Sequence, residues 1–197
     1  MKLKTIIISF VLYSTSVNAQ LYKLSELDTI KEFQSIEDAL KNPDAVIRLN
    51  LKGEKLKTVP KDIFLFKNLQ ELNLKKTRID ILPKEIGELK NLQVLNISKN
   101  QLITLPAEIG GLSNLKILRA SENELEYLPI EIGKLVELRF IDIWSNNLSG
   151  LPDEISSLKN LKKIDMRVIQ YNERDQKEMK ELLPNTEILF SKSCNCD

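Results

Sequence analysis

A 23-residue spacing of apolar residues constrains this chain more than any other feature of its sequence. Units begin at positions 46, 69, 92, 115, 138 and 161, and their large apolar residues occupy positions 1, 4, 6, 11, 14, 18 and 21. In the unit that spans 92–114 these residues are Leu92, Leu95, Ile97, Leu102, Leu105, Ile109 and Leu112. Seven columns that stay in phase over five units indicate an internal repeat.

Two further columns accompany the apolar ones. Proline recurs at position 15, as Pro60, Pro83, Pro106, Pro129 and Pro152, and asparagine recurs at position 9, as Asn100, Asn123 and Asn146. Apolar positions 4 and 6 flank a polar position 5, which is the periodicity of a β-strand. One unit cannot bury its own seven apolar side chains, so the units must stack and both ends of the stack must be capped.

The consensus LxxLxLxxNxLxxLPxxIxxLxxL resembles the leucine-rich repeat, in the 23-residue form of many bacterial proteins. It is also similar to the Ras-group and disease-resistance-type repeats of eukaryotes, and it covers residues 46 to about 190. The resemblance implies an α/β fold, a curved, horseshoe-shaped solenoid with parallel strands on its concave face. It also implies that the asparagine of position 9 turns inward and satisfies backbone groups, because buried amides need hydrogen-bond partners.

The segment before the repeats, residues 20–45, is predicted to be an N-terminal helical cap. Ser35 and Asp38 have the spacing of a helix start, in which the serine oxygen accepts a hydrogen bond from a backbone amide. Asn42-Pro43 ends that helix, because a residue before proline is disfavoured in helical geometry. Residues 46–160 then form five repeats.

The last unit, residues 161–190, departs from the pattern and is predicted to be a degenerate repeat with a C-terminal cap. Ile169 occupies position 9, and the LPxxI segment is missing. A helix is expected from Asn172 to about Leu182, followed by a short strand over 187–190. Residues 191–197 are expected to be a mobile polar tail.

Residues 1–19 have the plan of a secretory signal peptide. Lys2 and Lys4 precede an apolar run over 5–13, and small residues at 17–19 precede Gln20. The run is well short of the roughly 20 residues that cross a bilayer, so we expect export with cleavage rather than an anchor. No other stretch predicts a transmembrane segment. The two cysteines, Cys194 and Cys196, fall in the tail, where an intermolecular disulfide after export is our interpretation.

Composition excludes several classes of function. Removal of the leader leaves 27 basic against 28 acidic residues, which lacks the basic excess of a nucleic-acid binder. The chain has no histidine and no glycine-rich phosphate loop, so we predict no catalytic, cofactor or metal site. A repeat-guided ligase of the bacterial effector type would need a catalytic domain, and we expect none after residue 190.

Position 3 of the units, which should face the concavity, breaks the regularity of the repeat. Its column reads Arg48, Glu71, Val94, Ile117, Phe140 and Lys163, and the sole tryptophan, Trp144, lies in the same unit as Phe140. An exposed apolar strip with a polar rim is typical of a protein interface. The alternative is that β-branched and aromatic residues simply suit strands.

Position 5 supplies the charges beside that strip. Its column reads Asn50, Asn73, Asn96, Arg119, Asp142 and Asp165. Strands about 4.8 Å apart should make Asp142 and Asp165 neighbours. Two close carboxylates can share a cation, but a solvated salt-bridge patch with Arg119 is the interpretation we favour.

These columns predict a non-enzymatic recognition module that binds a protein or peptide on its concave face. Val94, Ile117, Phe140 and Trp144 would be the apolar anchors, and Arg119, Asp142 and Asp165 would set charge complementarity. The alternative is a cell-envelope carbohydrate or peptidoglycan binder, in which Trp144 stacks on sugar rings and the position-5 side chains donate and accept hydrogen bonds.

Overall fold

A computed structural model describes residues 20–169 and 171–191; the predicted leader and both cysteines lie outside this range. Within it, eight short strands form one parallel sheet in chain order. The strands are β1 (Glu32–Phe33), β2 (Arg48–Asn50), β3 (Glu71–Asn73), β4 (Val94–Asn96), β5 (Ile117–Arg119), β6 (Phe140–Asp142), β7 (Lys163–Asp165) and β8 (Glu187–Leu189). The predicted parallel solenoid is confirmed.

The register of the sheet turns each sequence column into a physical row. Leu72 pairs with Leu95 and Leu95 with Leu118, so a step of 23 residues along the chain is one step across the sheet. The 23-residue spacing is therefore the length of one full coil, and residues of one column are direct neighbours.

Five-residue 3-10 turns return the chain on the opposite, convex side. They span Lys61–Leu65, Lys84–Glu88, Ala107–Gly111, Ile130–Lys134 and Asp153–Ser157, and each follows the proline of position 15. Proline fixes φ near −65°, which matches the φ of −62° to −73° that the chain has at the residue before each turn. Neighbouring turns touch closely: a β-carbon on Gly133 would lie 2.4 Å from the carbonyl oxygen of Glu154.

The core runs through the interior of the coil between the strands and the turns. The seven apolar columns of the repeats are buried, from Val46, Leu49 and Leu51 in the first unit to Leu138, Ile141 and Ile143 in the fifth. Two members of these columns, Leu56 at position 11 of the first unit and Leu151 at position 14 of the fifth, are half-buried and pack against this core. Burial of such side chains contributes roughly 1.5–3 kcal/mol each. Packing between units therefore holds the array together.

A ladder of buried asparagine amides runs along this core, as the resemblance implied. The side chains of Asn100, Asn123 and Asn146 donate from Nδ2 to backbone carbonyls of their own unit and of the preceding one. Their Oδ1 atoms accept from backbone amides of the preceding unit, at 3.0 Å for Thr77, 3.1 Å for Leu102 and 3.0 Å for Leu125. The column is structural.

The N-terminal cap contains two short helices, α1 (Leu24–Leu27) and α2 (Ile36–Leu40), and a 3-10 turn at Pro43–Ala45. The predicted helix start is confirmed, since Ser35 Oγ accepts from the amide of Asp38 at 3.1 Å. The sequence did not predict β1, which lengthens the sheet by one strand.

A strap formed by residues 20–22 lies across the second and third units, another feature that the sequence did not predict. The fully buried Gln70 accepts from the Tyr22 amide at 2.9 Å and donates to the Gln20 carbonyl at 2.8 Å. Gln93, equally buried, donates to the Tyr22 carbonyl at 2.8 Å. The side-chain amides of Gln70 and Gln93 thus form the hydrogen bonds to the strap backbone that a neighbouring strand would otherwise form.

The C-terminal cap is α3 (Glu173–Leu182) followed by β8. Asn172 caps the helix by accepting from the amide of Asp175 at 2.9 Å, as predicted. Tyr171 seals the fifth unit, where its hydroxyl donates to the Leu148 carbonyl at 2.8 Å and its ring meets Phe190 edge-on. Among the described residues, no helix is long and apolar enough to cross a membrane.

Candidate binding surface on the concave face

The position-3 row forms a continuous line of side chains across the sheet. Glu71 pairs with Val94, Val94 with Ile117, Ile117 with Phe140, and Phe140 with Lys163. Ile117 and Phe140 are half-buried, which leaves each of them a surface that a partner can touch.

The sequence predicted that Val94 is exposed on the concave face, and this prediction is wrong. Val94 is only 6% exposed. Val94 pairs in register with Glu71 on one side and with Ile117 on the other. The apolar strip accessible on the concave face therefore consists of Ile117, Phe140 and Trp144, and Val94 lies beneath its edge.

Ion pairs close both ends of this row. Arg48 bonds to Glu71 at 2.7 Å and to Glu32 at 3.1 Å. Burial alone would lower the pKa of Arg48, but the hydrogen bond and charge of Glu71 raise it overall. At the other end Lys163 pairs with Glu187 at 3.2 Å. The strip is thus bounded by charged groups, as expected for the rim of an interface.

The position-5 row is built from turns at the strand ends. In three units the asparagine Oδ1 accepts from the backbone amide two residues ahead, at 3.1 Å for Asn50, 3.0 Å for Asn73 and 3.1 Å for Asn96. Asp165 Oδ1 makes the same contact with the Arg167 amide at 3.2 Å. In these four units the residue of position 5 thus ends the strand as well as lining the concave face.

Asp142 and Asp165 are register partners, as predicted, but only Asp165 forms an ion pair. The Arg167 guanidinium binds Asp165 through Nη2 at 2.6 Å and Nε at 2.9 Å. Burial of Asp165 would raise the pKa of this carboxyl, and the hydrogen bonds and charge of Arg167 lower it overall. Arg119 lies next to Asp142 in register without forming an ion pair within the described residues. The predicted salt-bridge patch is therefore confined to Asp165 and Arg167.

Asp142 is held in an unusual environment for a carboxylate. Its Oδ2 accepts from Ser121 Oγ at 3.2 Å, and its buried Oδ1 has no hydrogen-bond partner in the part of the chain that the structure describes. Burial is the main cause that raises the pKa of Asp142, and the charge of Asp165 adds to it. Ser121 Oγ also lies 3.1 Å from Ser98 Oγ, so a row of buried polar side chains runs under this part of the concave face.

Trp144 stands at the C-terminal end of the strip. It is half-buried and lines a recess of about 360 Å³ together with Arg167, Val168 and Ser191. Val168 is 62% exposed and has a φ of 69°. Sequence reasoning missed Val168 and Ser191; the signal for Val168 was an apolar residue at position 8, where the preceding units carry Gly53, Lys76, Lys99, Glu122 and Ser145.

This arrangement offers a surface that can bind a partner. The described residues contain no cluster of three or more metal-ligating side chains. The strip offers an aliphatic, a phenyl and an indole surface beside the guanidinium groups of Arg119 and Arg167. These are the residue types that anchor protein interfaces.

A family model described as a leucine-rich repeat region matches residues 45–189 of this chain. Among solved structures, a leucine-rich repeat protein of Leptospira interrogans is similar at 35% identity and a TM-score of 0.66, covering 81% of this chain and 48% of that one. Internalin C2 of Listeria monocytogenes is similar at 27% identity and a TM-score of 0.66, covering 77% of this chain and 64% of that one.

The repeat ectodomain of the Arabidopsis thaliana receptor kinase GASSHO1/SCHENGEN3 is similar in fold, at 23% identity and a TM-score of 0.59, covering 78% of this chain and 19% of that one. No curated protein matches the chain. The chain spans about half to two thirds of the length of the two bacterial structures.

Proposed function

This chain belongs to the leucine-rich repeat family, whose domains are typical protein-binding modules, and on that premise we propose that it is a non-enzymatic recognition module. Its concave face binds a protein or peptide partner. Ile117, Phe140 and Trp144 are the anchors, and Arg119, Asp142 and Asp165 select the partner's charge.

One observation carries this proposal: the apolar strip on the concave face is not required by the repeat. The position-3 side chains of the first, second and sixth units are charged, so the coil forms with either type of residue there. The strip lies half-buried between the Arg48–Glu71 and Lys163–Glu187 ion pairs. An apolar centre with a charged rim, containing the sole tryptophan, fits the anatomy of an interface.

The test uses the purified protein as bait on envelope and surface proteins of the source organism, and then calorimetry with the partner so identified. Phe140→Ala and Trp144→Ala should each weaken binding by about 2 kcal/mol or more, because they are the largest apolar groups of the strip. Leu65→Ala is the matched control, since Leu65 is 55% exposed on the convex side and should leave affinity unchanged. Equal affinity of both concave variants and wild type would remove the site assignment.

A glycan array distinguishes the carbohydrate alternative from a protein partner. Trp144, beside the recess, is the only described side chain of the strip with an indole face for a sugar ring. If the wild type binds defined glycans or peptidoglycan fragments and Trp144→Ala does not, the result favours an envelope glycan over a protein as the ligand.

We also propose that the protein is exported and that its mature chain starts at Gln20. The pattern of residues 1–19 supports this proposal. N-terminal sequencing of the native protein tests it, and a cytosolic protein that retains residues 1–19 would contradict it.

A further inference from the structure

Position 2 of the units forms another row of side chains, at the N-terminal ends of the strands. Each backbone amide in this row donates to the carbonyl of its counterpart in the preceding unit. The distances are 2.8 Å from Gln93 to Gln70, 2.8 Å from Lys116 to Gln93, 2.9 Å from Arg139 to Lys116 and 2.9 Å from Lys162 to Arg139. These hydrogen bonds place the five residues side by side, about 4.8 Å apart.

The position-2 row has an amide half and a basic half. Gln70 and Gln93 lie under the strap of residues 20–22, and both are fully buried. Lys116 is half-buried, and its ammonium donates to Gln93 Oε1. Arg139 and Lys162 continue the row and are exposed. We call Lys116, Arg139 and Lys162 the basic row.

The strap shows what kind of ligand the amide half of the row holds. Gln70 contacts the Gln20 carbonyl and the Tyr22 amide, and Gln93 contacts the Tyr22 carbonyl. The strap therefore advances along the array, from the second unit to the third, and its backbone groups face the row. Side chains of position 2 thus bind a polypeptide that crosses the ends of the strands.

Like charges stand next to each other in the basic row, whereas elsewhere adjacent units pair opposite charges. Such pairs between units are Arg48–Glu71 at 2.7 Å, Lys99–Glu122 at 2.8 Å and Lys163–Glu187 at 3.2 Å. None of the three cations of the basic row forms an ion pair within residues 20–169 and 171–191. Like charges that lie directly opposite on neighbouring strands are unfavourable, so an anionic ligand would stabilise this row.

Lys116 already responds to this environment. Its burial is the main cause that lowers the pKa of its ammonium group, and the charge of Arg139 lowers it further. Glu137 acts in the opposite direction without reversing the shift. The positive charges of Lys116 and Arg139 are therefore close enough to interact, and the acid beside them does not neutralise them.

We propose that the basic row binds an acidic, extended segment of a partner protein, which runs along the array as the strap does. The row spans two steps of about 4.8 Å, and an extended chain advances about 3.3 Å per residue. The segment that fits it is therefore three to four residues long. The Arg139 guanidinium supplies a fork of N–H donors for a carboxylate, and the Lys116 ammonium keeps two donors beyond its bond to Gln93.

A peptide is favoured over a phosphate group because the same row already holds a peptide one unit away. Ammonium and guanidinium groups bind carboxylates and phosphates alike, so their chemistry does not separate the two ligands. The strap does, because Gln93 joins both halves of the row: its Nε2 donates to the Tyr22 carbonyl and its Oε1 accepts from Lys116. The basic row thus continues a surface that holds polypeptide backbone.

The test uses an acetylated, amidated and fluorescent hexaglutamate peptide, with fluorescence anisotropy as the readout of binding to the purified protein. A reductant keeps the cysteines as thiols. At about 20 mM salt, where screening is weak, we expect saturable binding, and about 200 mM salt should weaken it severalfold. Backbone amide shifts in NMR spectra should locate the peptide at residues 116, 139 and 162.

Charge reversal in two successive units tests the site itself. Arg139→Glu/Lys162→Glu should weaken peptide binding about tenfold or more, because it removes attraction and adds repulsion. Lys116 is left in place, since its bond to Gln93 supports the strap. The matched control is Lys61→Glu/Lys84→Glu, which makes the same change in net charge at exposed convex residues of one column and should bind as wild type does.

The concave strip is tested separately with Trp144→Ala, which should bind hexaglutamate as wild type does. Failure of this inference and failure of the proposed function are therefore distinguishable. The inference is overturned if wild type shows no saturable binding at several millimolar peptide, or if the control variant loses as much affinity as Arg139→Glu/Lys162→Glu. It is also overturned if Trp144→Ala loses that much, or if the row binds inorganic tripolyphosphate but not the peptide.

Discussion

The asparagine ladder predicts unequal losses of stability for the replacement of Asn123 and of Asn146, although both residues occupy the same column. Asn123 donates to the carbonyls of Ile97 and Ala120 and accepts from the amide of Leu102. Both carbonyls are shared, because Asn100 also donates to Ile97 and Asn146 also donates to Ala120. In Asn123→Ala, therefore, only the Leu102 amide loses its sole hydrogen-bond partner.

Asn146 lies at the end of the ladder, and its removal leaves two backbone groups without a partner. Its Oδ1 accepts from the Leu125 amide at 3.0 Å, and its Nδ2 donates to the Ile143 carbonyl at 2.9 Å. The next unit has Ile169 at position 9, so no amide of that unit shares the Ile143 carbonyl. The structure therefore gives Asn146→Ala one more orphaned group than Asn123→Ala.

The size of the difference follows from the cost of a buried unpaired group. Such a group costs about 1–3 kcal/mol, and each lost but replaceable hydrogen bond costs about 0.5–1.5 kcal/mol. We expect Asn123→Ala to lower the free energy of unfolding by about 3 kcal/mol and Asn146→Ala by about 4 kcal/mol. Asn73→Ala should cost under about 1 kcal/mol, since the amide that it accepts from belongs to the half-buried Lys75 and can bond to water instead.

Urea denaturation followed by the fluorescence of Trp144 and by circular dichroism measures the three values. The dependence of the free energy on urea should be unchanged, which shows that the variants unfold as the wild type does. An Asn146→Ala variant that loses no more stability than Asn123→Ala would refute the reasoning from shared carbonyls. A large loss in Asn73→Ala would do the same, because it would deny the distinction between buried and half-buried partners.

Three further changes probe the carboxylate, the convex turns and the C-terminal cap. Asp142→Asn should raise the free energy of unfolding by about 0.5–1 kcal/mol at pH 7, because it removes a buried charge with an unpaired oxygen. Since the folded state raises the pKa of Asp142, wild-type stability increases as pH falls through that pKa, and the advantage of asparagine shrinks. Gly133→Ala should cost about 1–3 kcal/mol, because its β-carbon would meet the Glu154 carbonyl at 2.4 Å, whereas Gly150→Ala meets nothing within 4 Å and should be near neutral. Tyr171→Phe should cost about 1 kcal/mol and should abolish a loss of wild-type stability above pH 10, since burial raises the pKa of Tyr171 to about 12.

Denaturation curves over a pH series check the two titrating residues, and thermal unfolding checks the glycines. A gain in Asp142→Asn that persists unchanged at pH 3 would contradict the role of its ionised form. Equal effects of the two glycine substitutions would contradict the close packing of the convex turns. A wild-type protein whose stability is flat from pH 10 to 12 would contradict the assignment for Tyr171.

The fold was predictable because its instructions are local and repeated. Seven apolar columns and the proline before each turn recur in five units, and an inward asparagine recurs in three, so one error in a column does not hide the pattern. The caps were predictable where one side chain bonds to its own helix, as with Ser35 and Asn172. The strap was not, because Gln70 and Tyr22 are 48 residues apart and neither belongs to a motif.

For the candidate site, the sequence predicted which residues are neighbours but not which of them are exposed. The rows of positions 3 and 5 follow directly from the register, so the neighbours of Phe140 and Asp142 were placed correctly. Exposure does not follow from the register, since Val94 is buried while Ile117, its neighbour in the row, is half-buried. The unpaired oxygen of Asp142 likewise depends on sub-ångström geometry that no spacing in the sequence records.

Residues that stabilise a repeat and residues that bind a partner are separable in this chain for a physical reason. A buried column meets the same neighbours in every unit, so the array tolerates little variation there, and Leu95 or Asn123 recurs accordingly. An exposed column makes few contacts within the array, and a change there alters stability by only about 0.5 kcal/mol. Ile117 and Phe140 on the concave face both occupy such a column. Their apolar character therefore contributes little to folding, and binding is the property on which their replacement should act.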